Sequence, residues 1–329
     1  MKRLFIAGFI LLLSLGCKPY TTITKANGTD QRQSVESGLT QEVYRTETFQ
    51  IENPILDVRT SGGGVYIEGE DRSSVEVMMI VRRNGQIVTP EEVDLSDYLI
   101  TIEQRGNTIV AHAERESGWN WGVGDKKNYS ITFQINMPRK GEIDANTSGG
   151  SMRATGVEGP IHMRTSGGSI TLNETIGHAE LRTSGGSLEI ENHTGSLDGR
   201  TSGGSITIKE SLGDVDVRTS GGSIRVEEFS GSLFGRTSGG NIRADIIEVT
   251  GDVNLSTSGG NVRIELPGRL GYDLDLSGNS VNIELMNFTG ESKRDRVKGS
   301  INGGGILLKG STSGGNVRVD FYHSDKSPI

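Results

Sequence analysis

An arginine returns at positions 164, 182, 200, 218 and 236, always after eighteen residues. On a regular scaffold Arg164, Arg182, Arg200, Arg218 and Arg236 would stand in one line, a basic stripe able to hold an acidic glycan or another polyanion. Two residues earlier, Glu180, Asp198 and Asp216 fall on the same face, so the stripe also reads as a solvated, self-neutralised ladder. A second line repeats the pattern, with Arg225, Arg243, Arg263 and Arg318 followed two positions on by Glu227, Asp245, Glu265 and Asp320. Serine recurs as well, at Ser151, Ser169, Ser187, Ser205 and Ser223, before Asn241 and Asn261 take over. Nucleophilic catalysis needs one activated hydroxyl beside a base, not a row of copies, and no histidine recurs in register. These side chains read instead as a ladder that satisfies backbone groups at a turn.

Metal chemistry finds no footing. His112, His162, His178, His193 and His323 fall in different registers and lack zinc-ligand spacing. Glycine-rich calcium rolls place Asp after Gly-Gly-x-Gly-x, whereas Ser and then Ile or Leu follow the glycine pairs here. No catalytic, metal or cofactor residues are expected. One further stretch could bind: "SGWNWGVGD" (117–125) carries Trp119 and Trp121 on one side, either as a sugar-stacking or protein-contact patch or as a plug for the front of the fold.

The scaffold that positions these lines is a repeat. Thr-Ser-Gly-Gly begins at 60, 147, 165, 183, 201, 219, 237, 257 and 312, with a degenerate Leu276-Ser277-Gly278-Asn279 between the last two. A fixed period near twenty signals a solenoid. Within a repeat, apolar residues alternate at period two on both sides of the glycines, as in Ile170, Leu172, Ala179 and Leu181. Two short strands and two turns use up eighteen residues, with Gly-Gly at one corner and a single glycine (Gly177, Gly195, Gly213, Gly231, Gly251) at the other. Like residues then stack in inward columns, Ile170, Leu188, Ile206, Ile224, Ile242, Val262 and Val281 being one. A single coil buries too few side chains to offset the ordering of its backbone, so coils must stabilise one another. The expected fold is all-β: a two-strand-per-coil β-solenoid over 147–329, interrupted by a loop insertion at 286–305. Residues 41–146, with longer alternating strands, are expected to form a wider antiparallel β cap at its N-terminal end, blunting the exposed edge.

Bulk numbers agree with an elongated β protein. The 329 residues include 48 glycines but only 7 prolines, and aromatics reach 5%. Net charge is -8, from 34 basic and 42 acidic residues, which argues against nucleic acid as a partner. "MKRLFIAGFILLLSLGC" joins a basic start to a twelve-residue apolar run, too short to span a bilayer but suited to a signal peptide over 1–16. Its closing "SLGC" resembles the lipobox of bacterial lipoproteins, which implies lipidation of Cys17, the only cysteine. Residues 17–40 read as a flexible tether.

The pattern "TSGG-S-I-x-L…G-x-x-x-L-R-TSGG", preceded by strands ending in Met137-Pro138, resembles a bacterial family of β-strand-repeat envelope proteins described as candidate adhesins, a domain of unknown function. The resemblance covers 44–320 and implies a β-solenoid at the cell envelope, with no catalytic residues to carry over. The expectation is a non-enzymatic, lipid-anchored monomer, at the outer membrane, that presents a rigid face to an acidic glycan or another envelope protein. Two rivals come from other classes: a carbohydrate-active β-helix enzyme, and an envelope stress or signalling module.

Overall fold

Period-two alternation makes strands, and the computed structural model contains strands and no helix among the residues it describes, 43–115 and 129–322. The leader, Cys17, the tether, Trp119, Trp121 and His323 lie outside those residues. The strands join into one sheet wound as a β-solenoid. Each coil gives one strand to a leading ladder, which runs into the Thr-Ser-Gly-Gly corner, and one to a trailing ladder, which leaves it. Between 142 and 257 both ladders are parallel and in the expected register. Ile161↔Ala179↔Leu197↔Val215↔Leu233↔Val253 runs along one, and Ile170↔Leu188↔Ile206↔Ile224↔Ile242 along the other.

The two ends depart from sequence order. At the front, Ile55–Thr60 pairs in parallel with Glu142–Thr147 on one side and Thr108–Arg115 on the other. Val65–Glu70 likewise lies between Met152–Thr155 and Tyr129–Pro138. The copy at Thr60 therefore docks directly on Thr147, 87 residues away, and Ile55–Thr60, Val65–Glu70, Thr108–Arg115 and Tyr129–Pro138 supply solenoid rungs from within the expected cap. The antiparallel cap proper is Tyr98–Arg105 on one ladder, and Ser74–Arg83 with Arg45–Gln50 on the other. At the rear, Ile306–Thr312 sits between the end of Ile242–Thr257 and Tyr272–Ser277, while Val317–Tyr322 sits between Val262–Pro267 and Val281–Ile283. Val281 thus stacks on Val317, not on Val262 as the spacing suggests. The 286–305 insertion is not a bare loop. It forms the hairpin Thr289–Ser292 with Arg296–Ile301, which lies antiparallel along Tyr272–Ser277 and closes the leading ladder.

The repeated residues fasten coil to coil. Each motif threonine is buried, and all but Thr60, which donates to the Ile131 carbonyl, donate the hydroxyl to the carbonyl of the second glycine of the neighbouring coil, as Thr183 to Gly168, Thr201 to Gly186 and Thr219 to Gly204 at 2.7–2.8 Å. The serine and asparagine ladder accepts backbone N–H groups across coils, from Ser187 N–H onto Ser169 Oγ to Asn316 N–H onto Asn261 Oδ1. The second glycine of each pair is required by space and not by a positive φ. A Cβ on Gly186 would stand 2.0 Å from the Gly168 carbonyl oxygen, and one on Gly185 only 3.4 Å from that of Gly167.

At the opposite corner Glu174, Asn192, Glu210 and Glu228 adopt φ between 46° and 54°, and Gly177, Gly195, Gly213 and Gly231 lie between 132° and 147°. The left-handed residue turns the next side chain inward. Thr175, His193, Ser211 and Phe229 accordingly form a buried column that the spacing alone did not reveal.

Candidate functional site

The outward face of the leading ladder carries the arginine stripe. Its guanidiniums are compensated almost throughout. Arg164 and Arg182 both reach Glu180 at 2.6 Å, across and within a coil, while Arg200 pairs with Asp198 and Arg218 with Asp216 at 3.0 and 2.9 Å. Hydrogen bonds from Arg182 and then Arg164 hold the Glu180 carboxyl below its usual range against the opposing pull of burial. At the front Asp57 accepts from His112 and Arg59; burial would raise its pKa, but these two partners leave it lowered. The trailing ladder does the same with Arg243, Arg263 and Arg318 around Glu265 and Asp320. Partly exposed pairs of this kind neutralise a face more than they stabilise it. The stripe is therefore assembled as the spacing predicts, but as a mixed ladder and not as a basic one.

The pattern breaks beyond Asp216. The acid column runs Glu180, Asp198, Asp216 and then Phe234, followed by Asn254. Arg218 lies over the Phe234 ring, 4.8 Å from its centroid, and Arg236 has no carboxylate partner among the described residues. Around this break opens a groove of about 550 Å³ that spans the rungs from His178 to Leu307. The buried Leu197, Val215 and Leu233 lie beneath it, and Ser196, Asp214, Ser232 and Asp252 stand in one column along it. Ser232 donates to Asp214, and the Leu307 N–H donates to Asp252 at 3.1 Å. Phe234, Asp214 and Asp252 were not singled out from the sequence. The available signal was the phenylalanine of "SLFGR" standing where its neighbours have an acid.

The histidines separate into two kinds of site. His178 Nδ1 meets Ser196 Oγ at 2.7 Å at one end of the groove, with the His162 ring 6.0 Å away. Along that column the order is His178, Ser196, Asp214. A nucleophilic serine needs the carboxylate behind the imidazole, so these three do not form a triad. His193 is buried, with Nδ1 2.9 Å from Thr175 Oγ1 and no partner for Nε2. Burial holds its pKa below 6.5. The unfolded chain therefore binds the proton more readily, and the stability conferred by neutral His193 is complete above about pH 6.5 and declines as pH falls towards the folded-state value. Because Phe229 fills the same column two coils on, His193→Phe is expected to remove this acid-side loss. Unfolding midpoints in urea between pH 7.5 and 5 would show it, and equal slopes for both proteins would refute it.

Comparison with solved structures returns distant likenesses. A candidate cell-adhesion protein of Clostridium sporogenes shares 11% identity at a TM-score of 0.23, covering 84% of this chain and 99% of its own. A candidate adhesin of Bacteroides fragilis shares 10% at 0.38, with 84% and 96% covered, and a candidate lipid-binding protein of Parabacteroides distasonis shares 15% at 0.40, with 83% and 96% covered. No curated protein matches the sequence. A family model does match, over residues 55–320, a span that takes in both out-of-order ends, the repeats and the groove; the chain belongs to the Toastrack DUF4097 family.

Proposed function

We propose that this protein is a non-enzymatic, lipid-anchored component of the bacterial cell envelope, an adhesin-like scaffold that holds a rigid outward face for binding. The observation that carries the reading is the division of labour in the repeat. Thr, Ser and the second glycine are spent on joining coils, which leaves the outward columns free to vary on a repeating frame. The leader and its "SLGC" support anchoring through Cys17 and, with it, an envelope location at the outer membrane. The arginine stripe alone does not recommend an acidic glycan as the partner, because Glu180, Asp198 and Asp216 already occupy its guanidiniums.

Two measurements on the full-length protein test this. Cells fed radiolabelled palmitate should label the wild type and not Cys17→Ala, with the variant moving to the soluble fraction; an unlabelled wild type would end the anchoring proposal. Immobilised envelope polysaccharide should retain the protein without releasing reducing sugar. Sugar release would favour the β-helix enzyme instead, and capture of a single envelope protein would favour the signalling module.

A further inference from the structure

We infer that the groove around Phe234 is a binding site for an uncharged polysaccharide chain lying along the stack of coils. The inference rests on the proposed role as a binder and specifies where and what it binds.

The first observation is the break in the repeat. Outward positions of the acid column are charged at Glu180, Asp198 and Asp216, yet the next coil places an aromatic ring there. Placing a large apolar side chain on a polar face brings no packing gain by itself. The ring is held by the Arg218 guanidinium, which is also fixed by Asp216, so it is ordered before any ligand arrives. A preordered aromatic costs little entropy on binding and presents an apolar face to the C–H side of a sugar ring.

The second observation is the chemistry of the lining. Asp214 and Asp252 have no cationic partner within ion-pair distance among the described residues, and each accepts one hydrogen bond, which leaves acceptor sites vacant. Ser196, Ser232 and Asn254 add groups that both donate and accept. A ligand rich in hydroxyls matches this alternation, with the half-buried Phe234 ring as its apolar contact. A polyanion would meet two uncompensated carboxylates and no guanidinium among the lining residues. A cationic peptide would satisfy the carboxylates but not the hydroxyl and amide groups between them.

The third observation is length. The groove runs over five rung-to-rung steps from His178 to Leu307, about 24 Å at ~4.8 Å per step, which suits a chain and not a single sugar.

The test is calorimetry of the full-length protein with three uncharged hexasaccharides (cellohexaose, hexa-N-acetylchitohexaose and mannohexaose), heparin and hexalysine. At least one hexasaccharide should bind, with affinity unchanged between 50 and 500 mM salt. Phe234→Asp restores the acid that Asp216 supplies one coil earlier, so it should fold normally and bind at least tenfold more weakly; Phe234→Tyr should keep binding. Arg243→Gln on the other ladder should have no effect. The site is refuted if no hexasaccharide binds, if Phe234→Asp binds as the wild type does, or if heparin or hexalysine alone binds. The same variants on immobilised envelope polysaccharide separate the two ideas. Retention unaffected by Phe234→Asp would reject this site and leave the binder intact, whereas no retention by any form would reject both.

Discussion

Gly186→Ala is expected to cost more than about 4 kcal/mol and either to lower the melting temperature by roughly 10 °C or to leave no soluble protein, while Gly185→Ala should stay within about 1 kcal/mol of the wild type. The two glycines are neighbours in the same corner and share the same sequence logic. They differ in what lies over them. The Gly186 Cβ site is 2.0 Å from the Gly168 carbonyl oxygen, 2.3 Å from its carbon and 2.5 Å from the Ser169 nitrogen, all backbone atoms of the adjoining coil. None can swing aside without breaking the Thr183 hydroxyl contact to the Gly168 carbonyl and the parallel pairing on either side. At Gly185 the nearest atom is 3.4 Å away, an ordinary contact. Thermal unfolding followed by circular dichroism decides the matter, and similar melting of the two variants would refute the close packing of this corner.

The second large effect concerns the rear. A chain ending at Gly305 loses Ile306–Thr312 and Val317–Tyr322, which are not the last rungs in space but the ones between two others. Leu308, Val317 and Val319 are buried there, a gross loss of about 5–9 kcal/mol. The damage should reach further than the missing residues. Hydrogen exchange is expected to speed up along 253–266 and throughout 272–301, since both regions lose the strands they lean on. Retained protection over 272–301 would show that this segment folds without the intercalated coil, contrary to the pairing.

Much of this molecule could be read from its sequence because a solenoid makes neighbours of residues one period apart. The columns through Ile170 and Ile206, the serine and asparagine ladder and the facing Arg–Asp pairs all follow from eighteen-residue spacing. Out-of-rhythm copies carry no such ruler. Nothing in the spacing says that Thr60 docks beside Thr147, or that Ser311 enters between Ser256 and Ser277, because the length of an excursion does not determine the side on which the chain returns. Chemical variety concealed the rest. Thr175, His193, Ser211 and Phe229 share one buried column but no common character, so alternation passes over them. Gly199 and Gly235 look like gaps in an aliphatic column, yet a Cβ there would strike Val217 Cγ1 at 3.1 Å and Leu255 Cδ2 at 2.7 Å, so bulky neighbours fill the space. The groove was hidden for a related reason: it is defined by an exception, Phe234, and a reading built on recurrence discounts exceptions.

The crossed-over rungs at both extremities also determine how such a molecule can change over generations. Each lid is interlocked with the rung beneath it through a segment distant in the chain, so modules cannot be added or trimmed there one at a time. The interior has no such lock: from 147 to 237 every unit is interchangeable in length and docks alike on its neighbours. Duplication or loss of one eighteen-residue unit in that stretch alters reach by ~4.8 Å and leaves both lids seated. Lineages of this protein are thus free to differ in height while keeping the same two endpieces.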